Sequence, residues 1–170
     1  MSSKLILITG MSSSGKTTLA SRLSDALREI GIFSLHIDGI EFRNMISNHL
    51  FDKDSIESMF SFIKNFTEVM KEKNLILIYS LVAHRRSQRE SLKKILDTVH
   101  IHLEAPLNVL KNRDYKKAYE KADRGEFFLP GYSESYKYPI GEDLLLDSSK
   151  LSVEKELELV LDLLKGRRWI

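Results

Sequence analysis

The chain has 170 residues, 42% of them hydrophobic and 29% charged, which is typical of one globular domain with a sizeable core. The absence of cysteine excludes disulfides and thiolate metal sites, and the net charge of +2 is too small to indicate a nucleic-acid scaffold. No apolar run approaches the ~20 residues of a membrane span, and the apolar run at residues 4–9 is too short for a signal peptide. We therefore expect a single domain over residues 1–170 that binds neither membranes nor nucleic acid.

The chain begins with an apolar run over residues 4–9, which suits a buried strand. Residues 10–17 follow with the pattern G-x-x-x-x-G-K-T, which is the phosphate-binding P-loop pattern. Residues 18–30 then have helical spacing. The order strand, loop and helix is the context that this pattern requires. The sequence therefore predicts a phosphate site near its N-terminus.

The residue types of this loop fit phosphate chemistry. Gly10 and Gly15 permit a tight turn in which backbone N–H groups point inward, and the helix N-terminus behind them favours negative charge. Lys16 is placed to reach the β- and γ-phosphates, and the Thr17 hydroxyl to ligate Mg²⁺. The predicted nucleotide-binding residues here are Gly10, Ser12, Ser13, Ser14, Gly15, Lys16, Thr17 and Thr18, with Thr17 as the metal ligand.

Further apolar runs alternate with stretches of helical spacing. Strands are predicted over residues 33–37, 75–79, 99–103 and 144–147. Helices are predicted over residues 40–48, 85–96, 106–113 and 152–166. Two further helices are predicted, one from residue 54 or 55 to 73 and a short one after residue 114 that ends at about 123. This alternation predicts an α/β fold, the three-layer sandwich of P-loop kinases, with a parallel five-stranded sheet and helices on both faces. Ligands of such sheets bind beyond the carboxyl ends of the strands, so the P-loop, Asp38 and residues 80–89 are expected around one crevice.

Asp38 follows the second predicted strand, where a carboxylate can face the γ-phosphate. There it could orient or deprotonate an acceptor hydroxyl, or hold Mg²⁺ through water. The alternative is an aspartate that caps the next helix or forms an Asp-Gly turn. Because a P-loop precedes it, we favour the functional interpretation and predict Asp38 and Lys16 as the catalytic residues.

Three arginines near the predicted crevice are candidate substrate ligands. Arg43 lies five residues after Asp38 and could clamp an anionic acceptor. Arg86 and Arg89 follow the third strand and lie on one helical face, a spacing that suggests anion recognition. The alternative for this pair is a solvated basic face.

Residues 114–141, called the lid segment below, are polar, aromatic and rich in lysine. Arg113, directly before it, and Lys116 belong to a basic group at its start, and Phe128 belongs to an aromatic group between possible glycine hinges. Such rings in a mobile lid could stack on a base and then open. The alternative is a surface loop whose aromatic side chains pack on the core.

Together these residues resemble the adenylylsulfate (APS) kinase family over most of the chain. The matching motifs are G-M-S-S-S-G-K-T-T-L-A at 10–20, D-G-x-x-x-R at 38–43, R-x-x-R at 86–89, R-D-Y-K-K-A-Y-E-K-A-D-R-G-E at 113–126 and G-Y-S-E-S-Y-K-Y-P at 131–139. The resemblance implies transfer of the γ-phosphoryl group of ATP, with Mg²⁺, to the ribose 3′-hydroxyl of a nucleotide carrying a 5′ mixed anhydride. It also implies Asp38 as base, Arg43 as an acceptor ligand, Arg113 and Lys116 over the phosphates, a possible homodimer and, with ATP dependence, a cytoplasmic location.

The departures from the family lie in the acceptor site. The family's D-G-D is D-G-I here, and the Arg and Asn of D-R-x-x-N, which bind adenylylsulfate, fall near Ile56 and Met59. The S-x-P-x-R motif loses its serine and proline, and F-T-G becomes L-P-G, with Leu129 in place of the stacking Phe. A relative that fits this pattern is the cytidine diphosphoramidate kinase of bacterial capsule modification. The overall resemblance of the chain to it, and no single residue pattern, implies cytidine 5′-diphosphoramidate as acceptor.

Two other interpretations stay open. The first is an adenylylsulfate kinase with an altered acceptor pocket. The second is a nucleotide-binding regulator without turnover, motivated by Ile40 in place of the family's second carboxylate. A GTPase is excluded because no guanine-recognising N-K-x-D follows a strand.

Overall fold

The computed structural model describes residues 2–47, 52–126 and 128–170. Within these ranges, a parallel five-stranded sheet has the order β2-β3-β1-β4-β7. Its strands are β1 (Lys4–Thr9), β2 (Ser34–Asp38), β3 (Ile76–Leu81), β4 (Asp97–Glu104) and β7 (Leu144–Asp147). Two short strands, β5 (Pro130–Gly131) and β6 (Glu134–Ser135), pair in the lid segment. The predicted five-stranded parallel sheet is thus confirmed.

Helices alternate with these strands. They are α1 (Lys16–Glu29), α2 (Gly39–Met45), α3 (Lys53–Met70), α4 (Arg86–Lys93), α5 (Leu107–Arg113), α6 (Ala118–Asp123) and α7 (Val153–Gly166), and a 3₁₀ turn (Lys71–Lys73) extends α3. The predicted start of α3 at residue 54 or 55 was too late, because the Asp52 side chain accepts the Ser55 N–H at 2.8 Å and caps a helix that begins at Lys53. None of the helices described is long and apolar enough to cross a membrane.

The core lies on both faces of the sheet because its central strands bury both sets of side chains. Ile6 and Ile8 face one way and pack with α1 and α7. Leu5 and Leu7 face the other way and pack with α2, α3 and α4. A parallel strand covered on both faces has this continuous apolar pattern. The predicted three-layer arrangement of helix, sheet and helix is confirmed.

The strand order determines how the carboxyl edge of the sheet is divided. β1 is central and leads into the P-loop, while β2 and β3 lie to one side and β4 and β7 to the other. Residues that follow β2 and β3 therefore lie on the opposite side of the P-loop from those that follow β7. A ligand spanning this edge would have its phosphates in the middle and its two ends on different strands.

Candidate active site

A cavity of about 830 Å³ opens at the carboxyl edge of the sheet. Of the residues predicted from sequence, it brings together Ser12, Ser13, Ser14, Gly15, Lys16, Thr17, Thr18, Asp38, Arg43, Arg113, Lys116 and Leu129. Its wall does not include Gly10, Arg86, Arg89 or Phe128. The volume is large enough for a nucleotide and a second small molecule. The roles of the lining residues stay predictions.

The P-loop backbone has the conformation that phosphate binding requires. Gly10 has φ of 152°, and a Cβ there would lie 2.4 Å from the Leu103 carbonyl oxygen, so glycine is needed. Ser13 and Gly15 also have positive φ, 64° and 96°. Successive turns of this kind direct backbone N–H groups to one side and form an anion-binding concavity. The loop, with the N-terminus of α1 beside it, therefore fits a polyphosphate.

The Lys16 ammonium lies within this loop. Its Nζ donates to the Met11 carbonyl oxygen at 2.6 Å and to the Ser14 hydroxyl at 3.3 Å. Burial lowers the pKa of Lys16 to about 8, and the negative charge of Asp38 opposes that change. A phosphate beside Nζ would favour the charged form in the same way. The site therefore suits a lysine whose charge is balanced by an anionic ligand.

Asp38 caps α2, as the alternative interpretation held, and it also lines the cavity. Its Oδ1 accepts the N–H groups of Ile40 and Glu41 at 2.8 and 2.9 Å, and the Glu41 carboxylate accepts the Asp38 N–H. Both side-chain bonds use Oδ1, and within the described residues Oδ2 accepts no hydrogen bond. A carboxylate has two oxygens, so capping the helix is compatible with binding a substrate hydroxyl.

The wall beyond Asp38 is largely apolar. Arg43 is buried there, and burial lowers the pKa of its guanidinium while the charge of Asp52 opposes the change. Ile56 and Met59 of α3 are buried and line the same part of the cavity, together with Leu81, Ala83 and Leu129. The structure thus places apolar side chains where the family resemblance puts the Arg and Asn that bind adenylylsulfate.

Arg86 and Arg89 do not form an anion site together. Arg86 is exposed, whereas Arg89 is only 1% exposed and donates to the carbonyl oxygens of Ala83, at 2.5 Å, and Lys137. Its guanidinium also lies 5.7 Å from the ring centre of Tyr136. Arg89 therefore joins the loop after β3 to the lid segment. The proposed solvated face describes Arg86 alone, and the spacing of the pair could not show that Arg89 turns inward.

We expect Arg89→Met to lower the free energy of unfolding by about 2–4 kcal/mol. The change removes the donors of two carbonyl groups and leaves those groups without their charged partner. Urea denaturation measures the loss. Arg86→Met is the matched control on the same helix and should change stability by less than about 0.5 kcal/mol. A stable Arg89→Met protein with a raised KM for the acceptor would instead support the substrate contact predicted from sequence.

The lid segment contacts both neighbouring loops. The Tyr119 hydroxyl donates to the Ser12 carbonyl oxygen of the P-loop at 2.8 Å. The Glu134 carboxylate accepts a hydrogen bond from Arg85 Nη2 at 2.6 Å and also contacts the His84 ring. The hydrogen bond from Arg85 lowers the pKa of Glu134 to about 2. Phe128 packs against the apolar cluster of α3 and β3, as the alternative for the lid aromatics held. Sequence reasoning missed Tyr119, His84 and Glu134 because their partners are distant in the chain.

The wall on the β7 side contains a second feature missed from sequence. Arg113 donates to Ser148, at 2.8 Å from Nη2 to the carbonyl oxygen and 3.2 Å from Nη1 to the hydroxyl. Glu156 of α7 lines the same wall although it is only 4% exposed. Burial raises the pKa of its carboxyl to about 7, and the charge of Arg113 opposes the change. No local pattern distinguishes Glu156 from the other glutamates of its helix.

Comparison with known proteins shows one family over nearly the whole chain. The adenylylsulphate kinase family model matches residues 2–147. A probable adenylyl-sulfate kinase of Pyrococcus abyssi is 34% identical, covering 92% of this chain and 91% of that protein. The adenylyl-sulfate kinase of Shewanella halifaxensis is 30% identical, covering 94% and 80%. An APS kinase of Mycobacterium tuberculosis, solved with AMPPNP and APS, shares the fold at a TM-score of 0.88, with 24% identity and coverage of 96% and 98%.

Proposed function

Because the chain belongs to the adenylylsulfate kinase family, we propose that it transfers the γ-phosphoryl group of ATP to the ribose 3′-hydroxyl of a nucleotide with a modified 5′-diphosphate end. The observation that supports this proposal is that the P-loop lysine and Asp38 line the same cavity. One group can neutralise the transferred phosphoryl, and the other can bind the attacking hydroxyl. These are the two functions that phosphoryl transfer requires of a protein.

In the proposed reaction, Asp38 Oδ2 accepts the proton of the 3′-hydroxyl while Oδ1 keeps its bonds to α2. The hydroxyl oxygen forms a bond to the γ-phosphorus, and the bond from that phosphorus to the β–γ bridging oxygen breaks, giving ADP. Lys16 stabilises the charge on the phosphoryl oxygens from within the P-loop. The Thr17 hydroxyl lines the cavity beside Lys16 and fits a ligand of Mg²⁺, which would supply further positive charge at the phosphates.

The first candidate acceptor is cytidine 5′-diphosphoramidate. Its support is the apolar wall of Ile56, Met59 and Leu129, which offers no side-chain hydrogen bonds where the family resemblance places an Arg and an Asn. A buried bidentate arginine contact is among the stronger polar interactions, so its absence weakens recognition of an adenylylsulfate end. The overall resemblance to cytidine diphosphoramidate kinase adds to this support.

Adenylylsulfate is the second candidate acceptor, and the names of the relatives support it more directly than they support the cytidine compound. The relatives from Pyrococcus abyssi and Shewanella halifaxensis carry that activity in their names and align over most of this chain. Arg43, which is buried and lines the acceptor side of the cavity, is the anion ligand that we propose for either substrate. The two acceptors share a ribose 3′-hydroxyl and differ in base and terminal group, so the same catalytic residues serve both.

The test is ADP release with Mg·ATP and each acceptor in parallel, on wild type and on an Ile56→Arg/Met59→Asn double variant. We expect wild type to prefer the cytidine compound and the double variant to shift the kcat/KM ratio towards adenylylsulfate by tenfold or more. The KM for ATP in the variant is the control and should not change. Efficient wild-type turnover of adenylylsulfate would favour the second candidate, and turnover of neither would favour a nucleotide-binding regulator.

The proposal also includes a single domain over residues 1–170, with the lid segment at 114–141, and a homodimer. The proposal of a single domain is supported by the chain length and by the cavity, which is lined by residues of the P-loop and of α7 alike. The homodimer follows from the family resemblance alone. Gel filtration with light scattering would give the mass directly.

A further inference from the structure

Glu156 occupies a position of α7 where an apolar side chain is expected. Val160 and Leu164, one and two turns further along, are completely buried in the core. The face of a helix that repeats at this spacing is normally apolar. Glu154 and Glu158 of the same helix are exposed, as charged residues usually are, whereas Glu156 is buried. The buried position of this one glutamate therefore needs a reason.

Among the residues that the structure describes, no protein group hydrogen-bonds the Glu156 carboxyl. Within the described residues it makes no hydrogen bond and no ion pair within 4 Å, although Arg113 acts on it electrostatically. A carboxyl that the protein nearly encloses and does not hydrogen-bond depends on water or a ligand in the cavity for its hydrogen bonds. Because Glu156 lines the cavity, a ligand there can supply the missing hydrogen bonds. The side chain is thus an unpartnered polar group directed at the cavity.

The position of Glu156 along the cavity indicates which part of a ligand it meets. The P-loop lies in the middle, and Asp38, at the end of β2, lies on the acceptor side. Glu156 lies on the other side, with Leu151 and Val153 beside it in the wall. A nucleoside triphosphate with its γ-phosphate near Lys16 and Asp38 therefore extends its base towards this end. Two aliphatic side chains and one carboxyl suit the face and the edge of a base.

We infer that Glu156 recognises the base of the donor nucleotide by accepting a hydrogen bond from the exocyclic amino group of adenine. In its protonated form the carboxyl also donates to the neighbouring ring nitrogen, N1, so that the two groups form a cyclic pair. Burial favours that protonated form. The inference rests on the proposed function, since it assumes that ATP is the donor, and it makes Glu156 a specificity-determining residue.

The test compares ATP with purine riboside 5′-triphosphate, which lacks only the exocyclic amino group. Titration calorimetry on wild type, without any acceptor, should give a Kd for ATP about tenfold or more below that for the analogue. In Glu156→Leu the two Kd values should become nearly equal, because the partner of the amino group is gone. Glu158→Gln, an exposed glutamate of the same helix, is the matched control and should keep the wild-type ratio.

Four results would contradict the inference. A wild-type ratio near one does so whether or not any variant folds. An unchanged ratio in Glu156→Leu also does so, and in both cases measurable ATP binding leaves the proposed function intact. Wild type that binds neither compound overturns the proposed function together with the inference. Glu156→Gln keeps a donor and an acceptor and should retain the preference for ATP, and its loss there would contradict the pairing.

Discussion

Asp38→Asn is expected to lower kcat by about 10²- to 10⁴-fold, which is the contribution typical of a general base. The amide can keep the cap of α2, because its Oδ1 still accepts the N–H groups of Ile40 and Glu41. Its nitrogen cannot accept the proton of the attacking hydroxyl. The fold and the Kd for ATP should therefore be retained while phosphoryl transfer is lost. Steady-state ADP release and ATP titration measure the two quantities.

Comparison with Asp38→Ala separates the structural from the catalytic role. Alanine removes the cap as well as the base, so this variant should lose about 1 kcal/mol of stability in addition to activity. Asn and Ala should then differ in urea denaturation and agree in kcat. An Asp38→Asn protein with near-normal turnover would show that Asp38 serves only as the cap of α2.

Lys16→Met is expected to lower kcat by about 10²- to 10³-fold, the loss seen when one preorganised positive donor is removed from a transition state. The ammonium is buried in the P-loop and bonds to Met11 and Ser14, so a side chain of similar length and no charge fits its space. The variant should still fold, because burial disfavours the charged form of Lys16 and methionine carries no charge to bury. Single-turnover phosphoryl transfer at saturating ATP measures the effect.

Lys4→Met is a suitable control for this substitution, because Lys4 lies at the opposite end of β1 from the P-loop, over the Trp169 ring. It should leave kcat unchanged within about twofold. Equal activity of Lys16→Met and wild type would contradict the role of the P-loop in this chain. Reduced ATP affinity with normal kcat would assign Lys16 to binding alone.

The parts of this molecule predicted correctly from sequence are those with local causes. The apolar run of β1 and the glycines after it indicate a buried strand and a tight turn without knowledge of other segments. The same holds for the first four residues of β3, which are apolar on both faces, whereas β4 places His100 and His102 on one of its faces. The predicted end of β3 at residue 79 was wrong, because β3 continues to Leu81 by pairing with β1, which no local pattern shows.

The parts that could not be predicted depend on contacts between distant segments. In the sequence, Arg89 looks like any arginine on the exposed face of a helix. Only its hydrogen bonds to the carbonyl oxygens of Ala83 and Lys137 show that it holds two loops together. Tyr119 reaches the P-loop across more than a hundred residues. Glu156 resembles its exposed neighbours on α7 until the cavity wall is seen. Asp38 combines a local role, which the sequence suggested, with a position in the cavity that depends on the sheet.

Location of the new phosphate by ³¹P NMR tests the central claim most directly. Wild-type protein would be incubated with Mg·ATP and either cytidine 5′-diphosphoramidate or adenylylsulfate, with Asp38→Asn in parallel. The account predicts a new phosphomonoester signal coupled to the ribose H3′ of one acceptor, together with ADP, and its absence in the variant. Phosphate on another position, or ADP accompanied only by inorganic phosphate, would contradict transfer to the ribose 3′-hydroxyl.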